Sequence, residues 1–366
     1  MSSFKIHTLH ALRASRGQAT SRRSLLGFDG FVDTIVRPVA TRTGQGDAFT
    51  PIVAGAAGKS ANLELYPVME KLGGNGPLMA AALLAGGTRV TYVGALGRPA
   101  IHSAFQDFGA KAELFSLCAP GSTLAVEFGD GKLMLGQLRS LDSITLALVE
   151  EVMGASRFRA ELEAADLVGL VNWTMIPNMT GIFRDLLARV LPALAPRPLG
   201  GAPRAFFFDL ADPEKRPRAD LREALDLISR FGAFGEVTLG LNLKEAQQVA
   251  DVLDIPPPVA DEGSLRTACA AIREKLALGV VVIHPRESAA CATKAGTAWV
   301  PGPYCESPLI TTGAGDHFNG GFCQGRLLGL DAEASLTLGV CTSGHYVRTA
   351  QSPSLDDLER FLANWS

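Results

Sequence analysis

The chain has 366 residues, 47% hydrophobic and 19% charged, with 34 Lys and Arg against 37 Asp and Glu for a net charge of −3. That balance excludes a disordered chain and argues against a basic nucleic-acid-binding footprint. No apolar run reaches the ~18–20 residues that span a bilayer, and the length suits one large α/β domain with an appendage.

Residues 1–28 carry Lys5, Arg13, Arg16, Arg22 and Arg23 and no acid before Asp29. An organelle transit peptide shares this composition, although a secretory apolar region is missing. The preferred reading is a solvated basic helix ahead of the domain, with Leu9 and Leu12 on one side. The first strand has the apolar core Leu25-Leu26-Gly27-Phe28, followed by Phe31, Val32, Ile35 and Val36 and a Gly/Thr/Ala-rich stretch to about Ser60. Residues 77–85, opened by Pro77 and closed by Gly86-Gly87, predict a helix. Residues 90–94 form the next strand, giving the β-α-β rhythm of a parallel sheet covered by helices.

Residues 122–137 break this rhythm by alternating about Gly129-Asp130-Gly131, which predicts a β-hairpin that extends a sheet or covers a site. Further short apolar strands fall at 167–171, 205–210, 236–241 and 280–283. Proline-rich stretches at 192–203 and 256–258 read as surface connections, and residues 354–365 as an amphipathic closing helix. The six cysteines form no CxxC pair. They read as buried free thiols of a reducing compartment, hence a cytoplasmic protein.

The chemistry concentrates in Thr311-Thr312-Gly313-Ala314-Gly315-Asp316-His317-Phe318-Asn319-Gly320-Gly321. Small residues at a helix start let backbone N–H groups approach an anion, and the helix dipole adds positive charge there. Asp316 would repel a resting phosphate and makes sense as a general base for an attacking hydroxyl. The loop lacks a Walker A lysine, so neutralisation must come from a metal and backbone dipoles. The bland alternative is glycine packing with an ordinary first-turn acid. Gly73-Gly74-Asn75 opens the helix at 77–85 and admits a polar ligand, with Asn75 offering a donor and an acceptor, or else makes a tight turn. Asn242 and Glu245, after the strand at 236–241, suit a magnesium–water shell or a helix cap with a first-turn acid.

In this order and at these separations, the residues resemble the ribokinase-like (PfkB) family of carbohydrate and nucleoside kinases. Gly73-Gly74-Asn75 through Gly87 is similar to the family's first signature, and Thr312-Gly313-Ala314-Gly315-Asp316 through Gly321 to its second, more specific one. Asn242 and Glu245 match its Asn-x-x-Glu motif, and Gly27 through Asp33 its first strand. The resemblance implies a three-layer α/β/α core with a small β-sheet lid. It implies residues 1–24 as an N-terminal extension and 25–366 as the kinase domain, with lid segments near 34–60 and 120–138.

It further implies transfer of the γ-phosphoryl group of ATP, with Mg²⁺, to a hydroxyl of a small sugar or nucleoside. Asp316 would be the base, the backbone of Gly313, Ala314 and Gly315 the anion hole, and Asp33, Gly73, Gly74 and Asn75 the acceptor side. Asn242, Thr312 and Glu245 would serve the nucleotide, Glu245 as the metal's carboxylate. The β edge of the lid hairpin invites pairing with a second copy, hence a homodimer through the lid.

The sequence departs from the family where Ile310 replaces the Asp of a monovalent-cation site and where Leu78 replaces a second Asn. Pro99 stands near a position that often carries an acid, and His284-Pro285-Arg286-Glu287-Ser288 replaces a Gly-rich turn near the nucleotide. Leu78 and Ile310 support a second reading, a catalytically inactive sugar- or nucleoside-binding protein, against which intact Asp316 and the Gly-Ala-Gly loop count. A Rossmann oxidoreductase lacks its G-x-G-x-x-G, a serine hydrolase its G-x-S-x-G, and a zinc site its ligand spacing. Asp209 and Asp212, with Lys215 and Arg216, read as a solvated loop, and His317 as a packed or solvated helix residue. Trp173 fits a core as readily as a pocket.

Overall fold

The computed structural model describes residues 2–39, 54–59, 63–128, 131–197 and 202–365. In chain order the strands are β1 (Arg23–Phe28), β2 (Phe31–Pro38), β3 (Leu65–Gly73), β4 (Arg89–Gly94), β5 (Glu113–Ser116), β6 (Gly121–Phe128) and β7 (Gly131–Gln137). They continue as β8 (Leu167–Leu170), β9 (Ala205–Asp209), β10 (Glu236–Leu241), β11 (Val280–Ile283), β12 (Ser288–Thr293) and β13 (Gly296–Pro301). The helices are α1 (Ser3–Ser15), α2 (Asn75–Ala85), α3 (Gln106–Gly109), α4 (Leu146–Met153), α5 (Ala155–Ala164) and α6 (Met179–Asp185). After them come α7 (Arg218–Arg230), α8 (Leu243–Val252), α9 (Glu262–Lys275), α10 (Ala314–Leu327), α11 (Ala332–Thr349) and α12 (Leu355–Asn364).

Nine strands form the main sheet in the order β13-β12-β11-β10-β9-β8-β1-β4-β5. Strands β5 through β11 in that order are parallel, whereas β12 and β13 close the edge as an antiparallel pair. Strand β9 shows why helices cover both faces. Phe206 and Phe208 point to one side and Phe207 to the other, and all three are buried. On the first side they meet Phe183 and Phe231 edge to face, with ring centroids 5.0 to 5.3 Å apart. On the second, Phe207 joins Tyr92, Phe318 and Phe322 under α2 and α10. The result is three layers.

A second sheet of four strands, β3-β2-β6-β7, stands at the carboxyl end of β1, because β2 starts three residues after β1 ends. The expected hairpin is β6 and β7, paired from Ser122↔Gln137 to Phe128↔Gly131; its turn at 129–130 lies outside the described residues. So does most of the lid segment expected at 34–60, whose described start belongs to β2. Strand β3 went unforeseen, since Pro67 and the charged pair Glu70-Lys71 blur its pattern. Helix α2 starts two residues earlier than expected.

Helix α1 docks on the body. Leu12 is buried among Leu338, Leu358 and Leu362, and Lys5 Nζ donates to the Trp365 carbonyl at 2.7 Å. All six cysteines are free thiols, four of them buried. No described helix is long and apolar enough to cross a membrane.

Candidate active site

Strand order reverses beside β1: the chain leaves β1 for β4 and β5 and returns to β8 on its other side. Open α/β sheets bind ligands in the crevice at such a reversal. The residues that follow β1 and β8 meet there, Asn172 Nδ2 donating to Asp29 Oδ2 at 2.7 Å. The amides of Asn75 and Gly76 donate to the same carboxylate at 2.8 and 2.9 Å, and the Tyr92 hydroxyl lies 3.1 Å from it. Asp29 thus holds the N-terminus of α2, where a negative charge is favoured. Gly74 has φ +97°, and a Cβ there would lie 2.8 Å from Asp29 Oδ2. The glycines at this turn therefore admit the protein's own carboxylate. A Cβ on Gly73 would likewise strike the Asp33 carboxyl at 2.4 Å.

The Asn75 side chain reaches across the crevice. Its Nδ2 donates to Asp316 Oδ1 at 2.9 Å and lies 3.4 Å from Asp209 Oδ1. The other Asp209 oxygen accepts from Asn319 Nδ2 at 3.1 Å, one turn along α10 from Asp316 and on the same face. Burial, then the Asp29 charge, pushes the Asp316 carboxyl well above the usual carboxylate range, against the Asn75 hydrogen bond. Burial, then the charges of Glu245 and Asp316, does the same to Asp209. No ion pair to Asp29, Asp209, Asp316 or Glu245 forms among the described residues.

Asn242 and Glu245 form a capping box at the start of α8: Glu245 N donates to Asn242 Oδ1, and Asn242 N to Glu245 Oε2, both at 2.9 Å. Glu245 Oε1 accepts from the Asp212 amide at 3.0 Å. The cap and the cleft share these residues, since both line a cavity of about 420 Å³ with Asn75, Asp209, Gly315 and Asp316. His284 and Arg286 line the same cavity, His284 close beside Gly315. The His284 ring stacks on Phe318 with centroids 4.5 Å apart, and burial lowers its pKa to about 4.

The glycine loop sits above this floor. Gly313 has φ +95° and caps α10; a Cβ there would lie 2.9 Å from Leu78 and 3.2 Å from the Tyr346 hydroxyl. Leu78, where the resemblance expects a second Asn, is thus packing for the loop. Ile310 packs with Ile35, Ala125 and Tyr346. The Ala314 amide donates to the Thr311 carbonyl at 3.2 Å, whereas the Gly315 backbone borders the cavity.

The structure therefore brings together Asn75, Asn242, Glu245, Ala314, Gly315 and Asp316 around one cleft, with Gly73 at the end of β3 and Gly74, Thr312 and Gly313 in the adjoining turns. Asp33 lies on β2, opposite Lys71 of β3, with the ammonium 3.7 Å from its carboxylate. Two acids were undervalued in the sequence. Asp209 belongs to the buried floor and not to a solvated loop, and Asp29 anchors α2; Asp209 ends β9 and Asp29 follows β1, and that place at a strand end is the signal that could have found them. Trp173 is core, its Nε1 on Thr180 Oγ1 at 2.8 Å. Arg216 stacks on that ring and holds the nearby carbonyls of Trp173 and Ile176.

A nine-stranded sheet with helices on both faces, a small second sheet and a cleft at its strand ends define the ribokinase-like sugar and nucleoside kinase fold. The chain matches the Arabidopsis thaliana ribokinase complexed with ribose and ATP at TM-score 0.64 and 15% identity, covering 94% of this chain and 99% of that one. It matches the adenosine kinase of Sinorhizobium meliloti at TM-score 0.66 and 17% identity, with the same coverage. The sequence profile of the prokaryotic ketohexokinase family matches residues 7–365. The chain belongs to that family and is a carbohydrate kinase. A ketohexokinase of Haloferax volcanii is 29% identical over 353 residues, 94% of this chain and 91% of that protein.

Proposed function

We propose that the protein is a cytoplasmic, ATP-dependent kinase that phosphorylates a hydroxyl of a ketohexose, with Asp316 as general base. The observation that carries this reading is the 2.9 Å hydrogen bond from Asn75 to Asp316 in the cleft, beside the Ala314–Gly315 backbone. Asn75 orients one carboxylate oxygen while the other takes the proton of the acceptor hydroxyl. Burial that raises the carboxyl's pKa also strengthens it as a base. The loop amides receive the charge of the moving phosphoryl group. Asp33, Gly73 and Gly74 border the acceptor, and the His284–Ser288 side borders the nucleotide.

Among the described residues no three acidic, His or Cys side chains converge as a metal cage. Glu245 and Asp209, which line the cleft and have no ion-pair partner among the described residues, fit a divalent cation held mainly through waters and phosphates. Glu245, with Asn242, is the residue to hold Mg²⁺, which when bound neutralises phosphate charge. The four-stranded sheet acts as a lid on a kinase domain over 25–366, behind an extension at 1–24. Its exposed Tyr66, Val68, Met134 and Leu135 offer a second copy a pairing surface.

The test is turnover of Asp316→Asn on a panel of ketohexoses, with a loss of ~10²–10⁴ expected and the fold retained. Turnover near that of the unmodified protein would refute the assignment. Sugar binding without any turnover of the unmodified chain would point to a binding protein instead.

A further inference from the structure

The glycine loop is pinned from behind by two stacked side chains that no step above uses. The rings of His317 and Tyr346 lie face to face, with centroids 3.6 Å apart and planes at 13°. Both are buried. The Tyr346 hydroxyl donates to the Thr312 carbonyl at 3.1 Å, and His317 Nδ1 lies 2.8 Å from the Gly313 carbonyl. A carbonyl only accepts, so Nδ1 carries the proton. Nε2 then accepts from the Ser352 hydroxyl, 2.8 Å away. Burial lowers the His317 pKa to about 3 and raises that of Tyr346, so both groups are neutral at pH 7.

Two consecutive carbonyls of the loop are therefore each tied to a separate side chain, and the two side chains brace one another. A trans peptide points its N–H opposite to its C=O. Fixing the Thr312 carbonyl on Tyr346 aims the Gly313 N–H away from the stack. Fixing the Gly313 carbonyl holds the first turn of α10, which carries the Gly315 amide and Asp316. The stack is itself supported: Tyr346 packs on Ile310, Ile35 and Ala125, and Lys71 Nζ lies 3.5 Å from its hydroxyl.

We propose that the stacked His317–Tyr346 pair positions the glycine loop for phosphoryl transfer, each ring supplying one hydrogen-bond donor to a loop carbonyl. Neither side chain need touch substrate, so both are positioning residues. The inference rests on the phosphotransfer reading above. It explains why a histidine follows Asp316 and why Tyr346, thirty residues further on, reaches back to the loop.

The experiment compares kcat and KM of Tyr346→Phe, His317→Leu and His317→Asn in the full chain. Tyr346→Phe keeps the stack and loses the donor; His317→Asn keeps a nitrogen donor close to the Nδ1 position, and His317→Leu does not. Tyr346→Phe and His317→Leu are expected to lower kcat by about 10- to 100-fold, with KM for sugar and nucleotide within about threefold, because a displaced loop costs the transition state more than the ground state. His317→Asn is expected to recover most of the loss. Ser352→Ala, a milder change should the others fail to fold, is expected to lower kcat by about threefold, with KM unchanged.

Unchanged kcat in Tyr346→Phe, or equal loss in His317→Asn and His317→Leu, overturns the proposal. So does unchanged kcat in Ser352→Ala when the others do not fold. These results leave the general-base reading intact as long as Asp316→Asn is inactive; an active Asp316→Asn removes that reading first.

Discussion

The seam between α1 and α12 and the floor of the cleft handle acidic side chains in opposite ways. At the seam, Arg13 and Arg16 meet Glu359 and Arg16 also meets Asp356, at 2.5 to 2.8 Å, with the arginines partly exposed. Nearby, hydrogen bonds from Ser354 hold the Asp357 carboxyl down to about 2. On the floor, Asp29, Asp209, Asp316 and Glu245 are shifted upward, burial being the largest cause each time. Their partners are amides and a hydroxyl, from Asn75, Asn172, Asn319, Tyr92 and the backbone. Such donors hold a carboxyl group in place without an ion pair. A chain that pairs its acids at the seam and leaves them unpaired in the cleft has given up stability in the cleft for binding.

The sharpest way to break this comparison is to remove the central acid. Asp29→Ala strands the amides of Asn75 and Gly76 and the Asn172 side chain, all donors to that carboxylate. Leaving several buried donors unsatisfied is expected to cost about 3 kcal/mol or more. Because Asn75 then loses its seat, activity is expected to fall with it. Urea unfolding of purified Asp29→Ala checks the value; a cost below about 1 kcal/mol would mean that the floor is not built on Asp29.

A smaller effect of opposite sign is expected at Asp209, whose folded pKa lies above its unfolded value. Between those two values the folded chain keeps a proton that the unfolded chain has released. Stability is therefore fully present at acidic pH and falls as the pH rises through that window. Asn imitates the protonated acid, so Asp209→Asn should be more stable than the unmodified protein above the window and show a flatter decline as the pH rises through it. The depressed Asp357 works the other way: its contribution is complete above its unfolded value and is lost as the pH falls towards about 2. Urea midpoints measured from pH 3 to 8 separate the two. A steeper decline in Asp209→Asn would show that the acid is paired in solution.

The same contrast explains which parts were legible in the sequence. Asp316 and its glycine loop stand within six residues, and local helix-start chemistry suffices to read them. The parallel sheet was legible because apolar runs such as Phe206-Phe207-Phe208 need burial on both faces. Strand β3 was not, because its partner is β2, some thirty residues away, and its own residues are largely exposed. Asp209 looked like a loop acid because Asp212, Lys215 and Arg216 follow it; its partners Asn75 and Asn319 lie more than a hundred residues away on either side. The glycines at 73–76 were legible as sites of close approach, whereas the approaching groups, Asp29 and Asp33, were set by the tertiary fold.

The smallest effect belongs to the seam. Glu359 accepts from both Arg13 and Arg16, and Arg16 keeps Asp356 when Glu359 is lost. The helix does not depend on these charges, since Leu12 is buried among Leu338, Leu358 and Leu362 whatever stands at 359. Partly exposed pairs contribute about 1 kcal/mol at most and are screened by salt. Glu359→Gln should therefore cost no more than that, less still in ~0.5 M salt, and leave kcat untouched. Unlike the cleft floor, where Asp29 has several donors and no ion-pair partner among the described residues, the seam gives each charge an alternative partner, and redundancy is what makes a single loss cheap. If Glu359→Gln destabilised the protein as much as Asp29→Ala, the seam would be as finely balanced as the cleft, and uncancelled charge would no longer mark the place where a ligand binds.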